Sequence, residues 1–133
     1  MNRRFRPRHR PGWWFSLWLV GLASVATGSL LPADELPAQL FPGVDKLHHV
    51  LGHAVLSAYA AALFATPRLR MAAAAALLLF GIGIEGAQAA FTVTRAADAL
   101  DVAANAAGIL LGQLLGLTRL SRVIEDLDAR LHA

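Results

Sequence analysis

Long apolar runs separated by short polar segments set the pattern of this chain. Four runs cover about residues 13–31, 47–65, 71–92 and 99–117. Each is close to the ~20 residues that an α-helix needs to cross the hydrocarbon core of a membrane. The pattern therefore predicts an all-α, polytopic membrane protein with four transmembrane helices.

The segments outside the apolar runs complete the predicted organisation. Residues 1–12 are strongly basic, and Trp13 and Trp14 follow at the border of the first run, as in the aromatic belt of a membrane interface. Residues 118–133 carry apolar side chains at helical spacing, which predicts a short amphipathic helix, either on the membrane surface or as a solvated tail. We divide the chain into a basic N-terminal segment, a transmembrane domain (13–117) and an amphipathic tail.

The distribution of lysine and arginine predicts the orientation. Of the 12 such residues, five lie in the N-terminal segment, two in the turn at 66–70 and three in the tail. The other two are Lys46 and Arg95. Cytoplasmic loops of membrane proteins carry an excess of these residues. We therefore expect both termini in the cytoplasm, and the loops near Lys46 and Arg95 on the outside.

Composition supports a membrane protein and excludes several other classes. Hydrophobic residues make up 56% and charged residues 16% of the chain, against about 45–50% and about 25% in soluble domains. The positive charges lie in short flanks, so we expect no nucleic-acid partner. The absence of cysteine excludes disulfides and cysteine nucleophiles. The basic start also resembles a signal peptide, but the length of the first run and the runs that follow favour an uncleaved helix.

Polar residues at the ends of the last three runs form the candidate site. Within each helix they repeat every three or four residues, so each helix carries them on one face. The short turn near 93–96 makes the third and fourth helices antiparallel neighbours, with Glu85 level with Asn105 and Gln88 level with Asp101. Ionisable groups in a membrane are costly and mark functional sites. We predict an outward-facing polar pocket, lined by Asp45, Lys46, His49, Glu85, Gln88, Arg95, Asp98, Asp101 and Asn105.

Glycine continues the polar stripe of the fourth helix toward the inner end. Gly108, Gly112 and Gly116 form a small-x-x-x-small pattern, which lets two helix backbones approach closely. We expect this tight packing to close the pocket from the cytoplasm. The third helix has three more glycines, which we also expect at helix contacts: Gly81, Gly83 and Gly86.

The predicted pocket has more negative than positive charge. Its four carboxylates face two cations, Lys46 and Arg95. A protonated histidine, a protonated Glu85 or a bound cation would reduce this excess. A metal site built from His49, His53 and nearby carboxylates is the less favoured interpretation, because two histidines four residues apart are common by chance. We therefore expect no metal ion and no other cofactor.

The order and spacing of these residues over about 45–112 resemble the motifs of the VanZ-like membrane proteins. The matching segments are Asp45-Lys46-x-x-His49, Glu85-x-x-Gln88 and Arg95-x-x-Asp98-x-x-Asp101-x-x-x-Asn105-x-x-Gly108-x-x-x-Gly112. His53 departs from the pattern, since an aromatic residue is frequent there in that family. The resemblance implies a small multi-pass protein of the bacterial cytoplasmic (inner) membrane. The founding member is associated with low-level resistance to teicoplanin, a glycopeptide that acts outside this membrane.

The sequence leaves more than one class of function open. The protein is expected to contact membrane lipids and to bind or shield a lipid-linked component of the cell envelope. Alternatively, it is an intramembrane enzyme that acts on a lipid headgroup. His49 would then be the general acid or base, oriented by Asp45 or Asp101, and Arg95 would hold an anionic headgroup. The third possibility is a purely structural polar network.

Overall fold

Five α-helices and one 3₁₀ helix make up most of the chain in the computed structural model, which describes residues 4–7, 9–31, 43–91 and 98–133. The predicted all-α fold class is confirmed for these residues. Their β-type pairing is limited to an isolated antiparallel bridge between Phe5 and Phe64. The helices are α1 (Pro11–Leu30), α2 (Val44–Leu63), α3 (Pro67–Phe91), α4 (Ala99–Leu115), the 3₁₀ helix (Arg119–Arg122) and α5 (Val123–Arg130).

Local sequence signals explain where the helices begin. Pro11 and Pro67 occupy first helical positions, where proline loses no hydrogen bond that the helix would otherwise make. Gly43 precedes α2 with a φ of 86°, a left-handed conformation that glycine adopts without strain. Asp98 caps α4, because its carboxylate accepts a hydrogen bond from the Leu100 N–H.

The central helix is α2, which contacts α1, α3, α4, the 3₁₀ helix and α5. Its most extensive partner is α4 rather than α1 or α3. The stripe formed by Gly108, Gly112 and Gly116 lies on this interface, where an added Cβ atom would meet the α2 backbone or the Ala61 side chain. The Ser57 hydroxyl also donates to the Ile109 carbonyl oxygen over 2.8 Å. Close backbone approach and interhelical hydrogen bonds therefore fix α4 against α2.

The N-terminal segment is bound to the turn between α2 and α3. The Arg6 N–H donates to the Leu63 carbonyl oxygen over 2.9 Å, and the Ala65 N–H donates to the Arg4 carbonyl oxygen over 3.0 Å. The Phe5 ring stacks on Phe64 with 5.5 Å between the ring centroids. These contacts place the N-terminal segment at the end of the bundle where α2 ends and α3 begins.

The C-terminal tail is attached to the same end through a buried carboxylate. Asp128 accepts hydrogen bonds from the His9 N–H over 2.8 Å, the Arg10 N–H over 3.2 Å and the Trp14 indole N–H over 2.9 Å. Asp128 thus holds the tail against the start of α1. Periodicity does not single out Asp128, because its partners lie more than 110 residues away in the chain.

The predicted amphipathic tail helix is present but begins later than expected, after the 3₁₀ turn. Ile124 is buried against the bundle. The other apolar side chains of the tail are exposed: Leu120, Val123, Leu127 and Leu131. The tail therefore has an exposed apolar stripe on the face turned away from the bundle, as a helix at a membrane surface would.

The helices that are able to span a membrane number two or three in the described residues. α1 and α3 are long and apolar enough, and α4 with residues 119–130 forms a third candidate span that is bent by 78°. α2 has a span's length, but its polar first turns lower its hydropathy, and of these side chains His53 is buried. The structure therefore supports two or three of the four membrane spans predicted from the sequence.

Alanine at position 112 is expected to destabilise the fold, because its Cβ would lie 2.5 Å from the Ala54 carbonyl oxygen and 2.7 Å from the Ala58 nitrogen. Gly112→Ala should lower the free energy of unfolding by about 1–3 kcal/mol, as overpacking does in well-packed interiors. Gly83→Ala is the matched control, since a Cβ there meets no described atom within 4 Å. It should be neutral or stabilising by up to about 1 kcal/mol through helix propensity.

Thermal unfolding of both variants in detergent micelles, followed by circular dichroism, checks this prediction. Equal unfolding midpoints for the two glycine variants would contradict the close α2–α4 contact.

Candidate functional site

Lys46 joins the start of α2 to the start of α4. Its ammonium lies 2.8 Å from Asp98 Oδ2 and 3.1 Å from Asp101 Oδ1, and 3.5 Å from Asp45 Oδ2. The Lys46 hydrogen bond, assisted by the Leu100 N–H, holds the pKa of Asp98 below its ordinary value of 3.8. One partly exposed cation therefore serves three carboxylates at this end of the bundle.

His49 lies one turn further into the bundle and is oriented by Asn105. Its Nδ1 is 3.0 Å from Asn105 Oδ1. An amide oxygen only accepts hydrogen bonds, so Nδ1 carries the proton that it donates. The opposite nitrogen, Nε2, lies 3.9 Å from Glu85 Oε1 and 3.8 Å from Asp101 Oδ2. In the neutral imidazole, the Nε2 lone pair thus faces two carboxylates.

Glu85 brings a third helix to the site. Its Oε2 accepts a hydrogen bond from the Asp98 N–H over 3.2 Å. Its Oε1 is buried and has no hydrogen-bond partner among the described residues. A buried carboxylate oxygen without a donor is costly, because it loses its hydration without replacement.

A second group of polar atoms lies beside Gly81. The His53 Nδ1 contacts the His49 carbonyl oxygen at 3.1 Å. The His53 Nε2 and the Asn105 Nδ2 are buried and have no partner in the described part of the chain. A Cβ at Gly81 would lie 2.7 Å from Asn105 Nδ2 and 3.1 Å from His53 Nε2. Gly81 thus leaves room for both side chains. Because Gly81 lies one turn before Glu85, on the same face of α3, its spacing in the sequence places it beside the candidate site.

The structure brings seven of the predicted pocket residues into one cluster. Its members are Asp45, Lys46, His49, Glu85, Asp98, Asp101 and Asn105. We refer to these residues as the polar cluster. Gln88 instead donates to the Ser29 carbonyl oxygen near the end of α1, over 2.7 Å. Arg95 lies outside the described residues.

The predicted register of α3 against α4 is wrong by about one helical turn. Glu85 lies beside Asp98 and Asp101 rather than level with Asn105. Asn105 is instead beside Gly81. Of the other predicted glycine contacts on α3, Gly83 and Gly86 would meet no described atom with an added Cβ. Symmetric folding about a turn does not fix the register, because one helix can slide along the other by a turn while each keeps its polar face toward the other.

The cluster combines groups that bind with groups that transfer protons. An imidazole nitrogen between two carboxylates is able to accept a proton or to coordinate a cation. Lys46 supplies a positive charge near the exposed end, where it is paired with three carboxylates. Comparisons with protein-family models, with curated proteins and with solved structures find no match to this chain.

Removal of the Lys46 charge is expected to change how stability depends on pH. The pKa of Asp98 is lowered in the folded protein. The ion pair with Lys46 therefore stabilises the fold at pH values above the ordinary pKa of an aspartate. This stabilisation is lost as the pH falls through the lowered pKa of Asp98 in the folded protein. The unfolding midpoint of Lys46→Met should be below that of the wild type near neutral pH. The difference should shrink below about pH 4.

Unfolding midpoints of the wild type and Lys46→Met, measured between about pH 7 and about pH 3, check this expectation. Arg68→Met removes an exposed charge at the opposite end of the bundle and is the control, since its difference from the wild type should show no such closure. A Lys46→Met difference that stays constant across the range would contradict the ion pair.

Proposed function

We propose that this protein is a VanZ-like integral membrane protein of the bacterial cytoplasmic membrane. In this proposal α1, α2, α3 and α4 cross the membrane, and both termini lie in the cytoplasm. The N-terminal segment, the α2–α3 turn and the tail carry ten of the 12 lysine and arginine residues. The contacts that join these three segments at one end of the bundle support the proposal, because positive segments belong on the cytoplasmic side.

The polar cluster then faces the outer side of the membrane, where it binds a polar headgroup of a lipid-linked envelope component. The observation that carries this proposal is the convergence of His49, Glu85 and Asp101 from three helices at the end opposite the basic segments. The carboxylates of the cluster outnumber Lys46, so they would attract a cationic part of the ligand or a cation bound with it. An outward site is compatible with an effect on teicoplanin, which acts outside this membrane.

Binding accounts for the cluster better than helix stapling does. Interhelical polar contacts in membranes contribute about 0.6 kcal/mol on average. An unsatisfied buried polar group costs about 1–3 kcal/mol, and three such atoms lie in or beside the cluster: His53 Nε2, Glu85 Oε1 and Asn105 Nδ2. A network that served stability alone would pair these atoms with one another.

An intramembrane enzyme acting on lipid headgroups is the second candidate. The observation that favours it is the position of His49 Nε2 between two carboxylates, with the ring orientation fixed by Asn105. A histidine held in this way is suited to general acid–base catalysis. Binding and catalysis differ in one consequence, because catalysis changes the chemical composition of the membrane.

Complementation of a deletion strain tests the proposed site. His49→Ala, Glu85→Gln and Asp101→Asn should each lose at least about nine-tenths of the wild-type effect on teicoplanin tolerance while accumulating normally in the membrane, because each removes a converging group. His48→Ala and Asp126→Asn are the matched controls, since both side chains are exposed and outside the cluster. Full activity of all three cluster variants at normal abundance would exclude the proposed site.

Lipid profiles of the same strains separate the two candidate functions. A headgroup species that accumulates both in the deletion strain and with His49→Ala indicates an enzyme. An unchanged headgroup distribution, with the phenotype lost, indicates a binding protein.

A further inference from the structure

The polar cluster contains a point on which three lone-pair atoms converge. Among the described residues, His49, Glu85 and Asp101 each offer one ligand atom within 4.8 Å of the other two. The closest approaches are 3.9 Å from His49 Nε2 to Glu85 Oε1 and 3.8 Å from His49 Nε2 to Asp101 Oδ2. Atoms of this kind repel one another unless a proton or a cation lies between them.

The separations suit a cation better than a hydrogen bond. Hydrogen bonds between nitrogen and oxygen span about 2.7–3.2 Å, so a protonated His49 would form ion pairs with both carboxylates in this arrangement but no direct hydrogen bond. Around an ion with bonds of about 2.0–2.2 Å, ligand atoms lie about 3–3.5 Å apart. Shifts of about half an ångström would bring His49 Nε2 to that spacing from both carboxylate oxygens.

Each of the three residues is held through its other polar atom. Asn105 Oδ1 accepts from His49 Nδ1 over 3.0 Å and leaves Nε2 with its lone pair. The Asp98 N–H binds Glu85 Oε2 over 3.2 Å and leaves Oε1. Lys46 binds Asp101 Oδ1 over 3.1 Å and leaves Oδ2. Metal ligands are commonly oriented by partners of this kind on the atom that does not bind the ion.

Burial of Glu85 is an independent indication of a ligand. Its side chain is only 4% exposed, and Oε1 has no hydrogen-bond partner within the described ranges. A buried carboxylate is stable when it is paired or coordinates a metal. The free oxygen points toward the same imidazole nitrogen as Asp101 Oδ2.

We propose that His49, Glu85 and Asp101 bind one divalent cation of the kind that accepts both nitrogen and oxygen ligands, with Zn²⁺ and Mn²⁺ as the probes. The two carboxylates balance the charge of the ion. Three protein ligands leave at least one position for water or for an oxygen of the headgroup. The inference deepens the proposed function and rests on it for the identity of the bound headgroup, not for the presence of the ion.

This proposal replaces the expectation that no metal binds. It also differs from the metal site considered from sequence, because His53 is not a ligand. The His53 Nδ1 is occupied by the His49 carbonyl oxygen, and its Nε2 lies beside Gly81. The two carboxylates from α3 and α4 take its place.

Metal content and affinity of the full-length, tag-free protein in detergent micelles test the proposal. After treatment with EDTA, the protein is titrated with Zn²⁺ and, separately, with Mn²⁺, and the bound metal is counted after gel filtration. The wild type should bind one ion per chain, and binding should raise its unfolding midpoint. His49→Ala, Glu85→Gln and Asp101→Asn should each weaken binding at least about tenfold.

Matched controls distinguish the cluster from other histidines and carboxylates. His48→Ala and Asp126→Asn should bind like the wild type. The double variant His9→Ala, His132→Ala removes a pair of stacked imidazoles whose centroids are 4.8 Å apart, and it should also retain the ion. Circular dichroism shows that each variant is folded, and the near-isosteric Glu85→Gln and Asp101→Asn preserve the shape of the site if His49→Ala does not fold.

Two results would overturn the metal site. One is a folded wild-type protein that binds neither ion stoichiometrically. The other is binding that survives all three cluster variants or disappears in the His9, His132 double variant. Failure of the proposed function gives a different result. The cluster variants would then lose the ion in vitro but still complement the deletion strain. That result would keep the metal site and exclude the proposed envelope function.

Discussion

The close approach of α4 to α2 is the contact on which the rest of the structure depends. Gly108 and Gly112 have no side chain to separate the two helices, and any added Cβ would collide with the α2 backbone. This spacing places Asn105 within hydrogen-bond distance of His49, and Asp101 within reach of Lys46. The chemistry at one end of the bundle therefore follows from the packing in its middle.

The two ends of the bundle are built differently. At the end with the basic segments, aromatic rings pack together and the Asp128 carboxylate receives three hydrogen bonds. At the other end, buried polar atoms of Glu85, Asn105 and His53 have no partner among the described residues. The second end therefore carries groups whose burial is costly without a ligand.

The hydrophobic pattern predicted the helices well because membrane-length helices depend on long apolar runs. It placed α1, α3 and α4 close to their observed bounds and identified the faces that meet in the polar cluster. Periodicity fixes which face of a helix is polar but not how far one helix slides along another. The α3–α4 register was therefore wrong by about a turn, and the place of Gln88 beside Ser29 was missed.

Other features depend on contacts between residues that are distant in sequence. Asp128 binds the start of α1, and nothing near it in the chain indicates this contact. The hydropathy of α2 does not show that His53 and Ser57 are buried, since the residues that cover them lie on other helices. The proposed metal site depends on which polar atom of His49, Glu85 and Asp101 is already hydrogen-bonded and which is left for an ion. The sequence does not contain this information.

The central claim is that the polar cluster is retained for binding at a cost in stability. The unfolding midpoint of metal-free Glu85→Gln, compared with that of the metal-free wild type, tests this most directly. The amide oxygen can still accept from the Asp98 N–H, and the substitution removes a buried negative charge that lies beside Asp101. A midpoint equal to or above that of the wild type is the result that a binding site predicts. A clearly lower midpoint would show that the carboxylate stabilises the fold and would contradict the claim.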